Sequence, residues 1–375
     1  MKPILKLTIL SLACSLLSCE NNKKHWYVKS DDYDLRLELV ADSIAVPFGI
    51  AFLPSGEILA SNRPAGQLIK IDPKSGHKTF IKGVPSVWAK LDGGMLDVLP
   101  HPDYANNGWL YYSYSTIQKD STTTLIVERA KLKEDSLVDK QTLFTALPYH
   151  KDPSHFGTRL LLSKGYLFFT MGEHNFLRDS AQLLGNHLGK VLRIYEDGRI
   201  PEDNPFVNNK KAKPEVWSYG HRNPQGLALH PASGELWEHE HGPKGGDEIN
   251  IVTAGLNYGW PVICYGVNYD DTPVGAGITE HEGMEQPIHY YKPSIAPSGM
   301  LFYTGDEFPK WKGNLFIGAL ALRHLNRLVM DGKKVVHEER LFLDEKWRVR
   351  SLAQGPDGFL YIGVDGGMIL KICPR

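Results

Sequence analysis

Four short stretches of the chain concentrate titratable side chains, three of them beside glycines, where backbone and side chain together can grip a ligand. In Ser154-His155-Phe156-Gly157-Thr158-Arg159-Leu160, a histidine stands just before a run that reads as a strand. A neutral imidazole there could take a proton near neutral pH, although a lone loop histidine is also a common ordinary polar residue. In Ser218-Tyr219-Gly220-His221-Arg222-Asn223-Pro224-Gln225-Gly226, a guanidinium fork followed by an amide can read a planar, multi-oxygen anion. The plainer alternative is a turn locked by Pro224, with Arg222 in a structural ion pair. In His239-Glu240-His241-Gly242-Pro243-Lys244-Gly245-Gly246-Asp247-Glu248-Ile249-Asn250, His239 and His241 would share one face of a strand and invite zinc. No third or fourth ligand at suitable spacing accompanies them. The stretch better suits a hard cation held by the carbonyls of Gly242 and Pro243 and by carboxylate oxygen. In Trp347-Arg348-Val349-Arg350-Ser351, period-two spacing places both guanidiniums on one strand face. Such a pair is usually solvated, but aimed into a central channel it would bind an anion. The chain has no phosphate-cradling glycine loop, nucleophile elbow or Cys-x-x-Cys pair.

These stretches punctuate a phrase repeated six times: an apolar strand, a Pro/Gly turn, then a strand rich in aromatic or β-branched residues. It runs through Gly49–Ser61, Met95–Tyr114, Leu160–Thr170, Gly226–Trp237, Ser298–Gly318 and Leu352–Gly363. Third strands follow at Gln67–Ile71, Lys190–Ile194, Leu325–Met330 and Ile369–Ile372. No long amphipathic helix and no strand–helix–strand alternation interrupts the series. The expectation is an all-β, six-bladed propeller with four-stranded antiparallel blades, its ring closed by Arg36–Val40 against the carboxy-terminal blade. Two β-sandwiches are the alternative, but would leave the repeated phrase unexplained. Residues 116–157, 195–221 and 254–297 read as long insertions between strands, where binding groups are usually carried. Composition agrees with this reading. Of 375 residues, 36 are glycine and 24 proline, as many turns demand, and 42% are hydrophobic, too many for disorder. A net charge of −1 argues against nucleic acid as an overall partner.

The amino terminus reads as an address. Met1–Lys6 is basic, Leu7–Leu17 is an apolar run too short to span a bilayer comfortably, and Leu16-Leu17-Ser18-Cys19 resembles a bacterial lipobox. Residues 1–18 are then a lipoprotein signal peptide, 19–34 a lipidated cysteine with a polar tether, and 35–375 the propeller. The plain secretory signal remains the alternative. An exported protein, tethered to a membrane through lipid on Cys19 in the periplasm, outer membrane or cell surface, could pair its remaining Cys264 and Cys373. Nothing in the spacing requires that pairing.

Over roughly residues 40–372 the motifs resemble the soluble pyrroloquinoline-quinone (PQQ)-dependent aldose sugar dehydrogenases. The resemblance rests on Tyr219–Gly226, Glu240-His241-Gly242-Pro243, Asp247-Glu248-Ile249-Asn250 and Asn257-Tyr258-Gly259-Trp260-Pro261, with Gly93-Gly94-Met95-Leu96-Asp97 and Ser298-Gly299-Met300 in order. It implies a six-bladed propeller that oxidises aldose sugars to lactones with PQQ and calcium and passes electrons to an external acceptor. By position it implies His155 as the base for the sugar C1 hydroxyl. Arg222 and Asn223 would lie at the quinone carbonyls, and Arg348 and Arg350 on its carboxylates. The carbonyls of Gly242 and Pro243 would bind the calcium that polarises the quinone, and Glu248 with the carbonyl of Tyr258 a second, structural calcium. Two departures stand out. Asp92, near sugar and cofactor, replaces a glutamine, and Gly318-Ala319-Leu320-Ala321-Leu322 lacks a cofactor-contacting lysine that Arg323 could replace. The rivals are a calcium-dependent lactonase-like hydrolase, which needs a carboxylate-rich metal centre instead of the arginines, and a propeller that binds carbohydrate or protein without chemistry.

Overall fold

A computed structural model describes residues 24–151 and 154–375; the expected signal peptide and the lipid-bearing Cys19 lie outside the described residues. Six antiparallel sheets follow one another along the chain. The first strands of the six blades are Pro47–Phe52, Met95–Pro100, Leu160–Ser163, Pro224–Leu229, Pro297–Phe302 and Val349–Gln354. They line the central channel. Each pairs with a second strand: Ile58–Asn62, Trp109–Ile117, Tyr166–Met171, Leu236–Glu240, Leu315–Ala319 and Leu360–Val364. A third and a fourth strand complete each blade outward.

Short strands of this kind cannot bury both faces alone, so the blades bury them against one another. Six apolar clusters sit between successive blades, such as Leu59, Met95, Leu110 and Tyr112 between blades one and two, and Trp237, Ile249, Phe302 and Ile317 between four and five. The ring closes as expected from the sequence: Asp34–Ile44 joins blade six antiparallel to Gly367–Pro374, with Leu35 opposite Pro374 and Leu39 opposite Leu370. His25–Lys29 then adds a fifth strand outside it, so part of the expected 19–34 tether belongs to the sheet. The only α-helix among the described residues is Tyr104–Asn107.

One expected insertion is corrected. Most of 116–157 consists of the long outer strands of blade two, Thr123–Lys133 and Ser136–Thr145. The other two stretches hold long connections, each ending in the outermost strand of its blade, Val216–Tyr219 and His289–Tyr291. They pack on each other where Gly255 N donates to the carbonyl of Trp217 (2.7 Å) and Trp260 N to that of Gly220 (2.8 Å). Gln182 Nε2 from the preceding turn donates to the carbonyl of Trp260 (2.7 Å) and to Asn257 Oδ1 (3.0 Å). Cys264 is buried there beside Trp260 and Val274, and Cys373 lies on the third strand of blade six; both are free thiols, so no disulfide joins them.

Pairing registers slip where the first strands of five blades begin, between Pro47 and Ile50, Met95 and Val98, Pro224 and Gly226, Ser298 and Met300, and Val349 and Ser351. A bulge at this point bends the strand and re-aims the side chain inside it. Phe48, Gln225 and Arg350 occupy three of these bulges, and all three face one cavity.

Candidate active site

That cavity, about 220 Å³, opens at the end of the channel where first strands begin and second strands end. Its wall includes Phe48, Arg63, Asp92, His155, Asn223, His241, Leu320, Arg348 and Arg350. Besides the bulge residues, two kinds of position supply it: residues just before a first strand, and residues just after a second strand. Hairpin register brings the two together. In blade three, Leu160 pairs with Phe169 and Thr170 N donates to the carbonyl of Arg159 (3.2 Å), which brings the His155 segment alongside Glu173. In blade six, Val349 pairs with Val364, and Asp365 N donates to the carbonyl of Arg348 (3.0 Å).

His155 sits at φ 50°, one of several non-glycine residues with left-handed backbone around this mouth, with Leu91, His174, Asn175 and Ala296. Such strain persists where surrounding contacts enforce it, typically at binding sites. Here those contacts are specific. The His155 N–H donates to Asp92 Oδ2 (3.2 Å), and Nδ1 lies 2.7 Å from Glu173 Oε2. Glu173 is fully buried. Burial alone would raise its carboxyl, but His155, Arg222 and the Asn175 amide bring it below the ordinary carboxylate value. An ionised Glu173 fixes the proton on Nδ1 and leaves Nε2 as the nitrogen able to accept one. Glu173 escaped the sequence reading, although the hairpin register of blade three was a signal that could have found it.

Arg348 and Arg350 do converge, but not as neighbours on a regular strand. Arg348 precedes the strand and Arg350 lies in its bulge. Asp365 clamps both, accepting from Arg350 Nε (2.9 Å) and Nη2 (2.6 Å) and from Arg348 Nε (3.2 Å). Burial pushes the Asp365 carboxyl up, yet the two guanidiniums carry it below its usual range. Arg348 also donates to the carbonyl of Leu320 (2.8 Å). Arg323, the suggested stand-in for the absent lysine, is exposed and does not line the cavity. Arg63 does, and sequence reasoning had passed over it.

Asn223 lines the cavity while its Oδ1 accepts from the Gly157 amide (3.2 Å) and Gln225 Nε2 (3.1 Å), which holds the His155 loop. Arg222 turns the other way. Its Nη1 donates to the carbonyls of His241 (3.0 Å) and Gly242 (2.9 Å), and its backbone N–H is bonded to Glu240. It borders a cleft with a void of about 10 Å³, shared with Glu240, Gly242, Glu248 and Tyr258. That is room for one small ion. Burial and Glu240 raise the Glu248 carboxyl well above its usual value. The donor set of two carboxylates and nearby carbonyls suits a hard cation. A cation on Gly242 would have to share that carbonyl, which has two lone pairs, with Arg222.

Deeper still, His221, Glu238 and Glu240 are buried together, with His221 Nδ1 3.4 Å from Glu238 and 3.7 Å from Glu240. Burial alone would lower His221, but the two carboxylates carry it up to about 9. The zinc reading of His239 and His241 fails on geometry. His241 bonds the Pro297 carbonyl through Nε2 (2.7 Å), and His239 is buried with neither nitrogen partnered among the described residues. Burial pushes both down to about 3.

Two motifs occur together for a structural reason. Gly220 has φ 79°, and a Cβ there would collide with Asn257 and crowd the Gly259 amide. Its neighbours are tied by Tyr258 N to Tyr219 O (2.8 Å) and Trp260 N to Gly220 O (2.8 Å). The Tyr219–Gly220 turn and Asn257–Trp260 therefore form one unit.

Below the cavity the channel is partitioned. The buried Arg159 guanidinium donates to the carbonyls of Phe48 (2.6 Å), Gln225 (2.8 Å) and Arg350 (3.2 Å) and to Asp97 Oδ1 (3.3 Å). One side chain thus joins blades one, two, three, four and six. On its far side lies a separate, mainly apolar cavity of about 340 Å³, walled by the first strands of all six blades.

Comparison with known proteins adds to this geometry. The model of a family described as glucose/sorbosone dehydrogenase matches residues 44–371. The chain is 41% identical over 347 residues to the aldose sugar dehydrogenase YliI of Escherichia coli K12, covering 91% of this chain and 93% of that one. Among solved structures, the soluble aldose sugar dehydrogenase of E. coli in its apo form superposes with a TM-score of 0.87 at 40% identity, covering 91% of this chain and all of that one. The PQQ-bound form of an aldose sugar dehydrogenase from Streptomyces coelicolor gives 0.72 at 26% identity, covering 90% and 98%.

Proposed function

The chain belongs to the glucose/sorbosone dehydrogenase family, and on that premise we propose that it oxidises aldose sugars to lactones with PQQ held in the His155 cavity. The observation that carries this reading is the meeting of a carboxylate-oriented histidine with three guanidiniums, Arg63, Arg348 and Arg350, around an aromatic wall. A flat, multiply carboxylated ring suits that wall, because guanidiniums pair with carboxylates and Phe48 offers an apolar face.

Bound PQQ supplies a two-electron quinone that accepts the hydride leaving C1. The protein supplies the rest. His155 takes the proton of the C1 hydroxyl at Nε2, and Glu173 offsets the charge the ring gains. Arg348 and Arg350, clamped by Asp365, hold cofactor carboxylates. Asn223 keeps the His155 loop in place. Asp92 fixes the backbone of His155 and presents its carboxylate to sugar hydroxyls. The carbonyls of Gly242 and Pro243 would hold one calcium, and Glu248 with the Tyr258 carbonyl a second. Arg222, already on the Gly242 carbonyl, links the first of these positions to the cleft. We extend the proposal to export as a lipoprotein anchored through Cys19, with electrons leaving to an external acceptor. The hydrolase alternative needs a carboxylate centre at the channel. The buried His221–Glu238–Glu240 group lies off the cavity wall, where arginines stand instead.

The test is reconstitution of apo-protein with PQQ and calcium, followed by dye-linked oxidation of a panel of aldoses. His155→Gln is expected to retain the quinone and lose at least about 100-fold in kcat. If the reconstituted wild type oxidises no aldose, the reading is wrong.

A further inference from the structure

Every arginine around the cavity but one is already engaged. Arg350 and Arg348 share Asp365, Arg159 donates to three carbonyls and Asp97, and Arg222 holds two carbonyls. Arg63 lines the cavity, and its guanidinium has no hydrogen bond or ion pair among the described residues. Its backbone is nevertheless fixed on both sides. The Arg63 N–H donates to the Val46 carbonyl (3.0 Å), and its carbonyl accepts from Met95 N (3.1 Å). The side chain is half-buried, with Cζ 5.8 Å from the Phe48 ring centroid. The opposite guanidinium of Arg350 lies 5.9 Å from the same ring.

Arg63 also occupies a recurrent position. It is the first residue after the second strand of blade one, as His241 is in blade four, Leu320 in blade five and Asp365 in blade six. His241 and Leu320 line the cavity, and Asp365 holds the two arginines that do. A pinned backbone carrying an uncommitted guanidinium into a cavity that already holds two others is a charge arrangement lacking its anion. The field reflects this: burial first, then Arg350, lowers Arg63 to about 10, against the opposing pull of Asp92 and Asp365. Two carboxylates do not balance three guanidiniums.

We propose that Arg63 is a cofactor-binding residue, taking a carboxylate of PQQ through its free fork, opposite the Arg348–Arg350 pair. The inference rests on the PQQ reading above and assigns to blade one a cation that blade five does not provide. Since the side chain makes no internal hydrogen bond, its removal should leave the apo-fold intact.

The experiment titrates apo-protein with PQQ, following quenching of tryptophan fluorescence and retained quinone absorbance. It compares wild type, Arg63→Gln, Arg63→Lys and Arg323→Ala, with the thermal midpoint of each apo-protein measured in parallel. Losing a charge-assisted contact should weaken PQQ binding about 10- to 100-fold in Arg63→Gln, with a smaller loss in Arg63→Lys and none in Arg323→Ala. The trimethyl ester of PQQ, lacking the anionic groups, should bind wild type and Arg63→Gln alike. If Arg63→Gln does not fold, Arg63→Lys decides, because a point charge replaces a fork and must weaken binding several-fold. A wild type that binds PQQ while the folded variants bind it equally well overturns the role of Arg63 alone. A wild type that binds no PQQ overturns the quinone reading with it.

Discussion

At the scale of single residues, the site depends on carboxylates that hold other groups in place. Glu173 keeps the proton on Nδ1 of His155, so Glu173→Gln should lower kcat on the order of 100-fold while leaving quinone binding unchanged. The pH dependence has a definite sign. The folded Glu173 carboxyl titrates below its ordinary 4.5. Its stabilising contribution is therefore complete above about pH 4.5 and is lost as pH falls through the lower folded value. The stability difference between wild type and Glu173→Gln, measured by denaturant titration, should be constant near neutrality and shrink below pH 4.5. A difference that grows on acidification would contradict the assignment. His155, Arg348 and Arg350 stood out in the sequence because each sits in a polar stretch beside a strand. Glu173 and Arg63 did not, because what marks them is a partner across a hairpin or the lack of one, and neither shows in a linear stretch.

At the scale of elements, turns and bulges do the aiming. Gly94 has φ 142°, and a Cβ there would collide with the Arg63 carbonyl. Gly94→Ala should therefore destabilise the protein by about 2–3 kcal/mol and, by displacing Arg63 and the adjoining Asp92, weaken quinone binding as well. Thermal unfolding and PQQ titration of the same variant check both effects; a stable Gly94→Ala with intact binding would refute the account. Strands were largely legible from the repeated phrase, and so was the closing strand near Arg36–Val40. Ser136–Thr145 was missed as a strand because it reads Ser-Leu-Val-Asp-Lys-Gln-Thr-Leu-Phe-Thr, an edge with little apolar alternation. The bulges were not legible at all: a one-residue slip leaves the residue pattern unchanged but turns Phe48, Gln225 and Arg350 into the cavity.

At the scale of the whole molecule, six inter-blade cores and a central arginine hold the ring. Arg159→Met removes the counter-charge of the buried Asp97 carboxylate, which keeps the Leu160 amide, and the guanidinium donors of the Phe48 and Gln225 carbonyls. It should cost about 3–5 kcal/mol, measurable as a lower denaturation midpoint. Arg159→Met combined with Asp97→Asn should lose less than the two single changes summed; strict additivity would show that the pair is not coupled. The ring itself was readable from six-fold repetition, whereas the partition was not, since it depends on contacts between residues up to 191 positions apart. The partition also fixes the traffic. With Arg159 bridging the carbonyls of Phe48, Gln225 and Arg350 between the two cavities, the way out of the upper one is its mouth. On the proposed function, reactant, product and electron acceptor would share that mouth, so a lingering product would delay the next visitor. Steady-state rates should then give parallel double-reciprocal lines, and excess sugar should slow turnover by blocking the acceptor at the threshold.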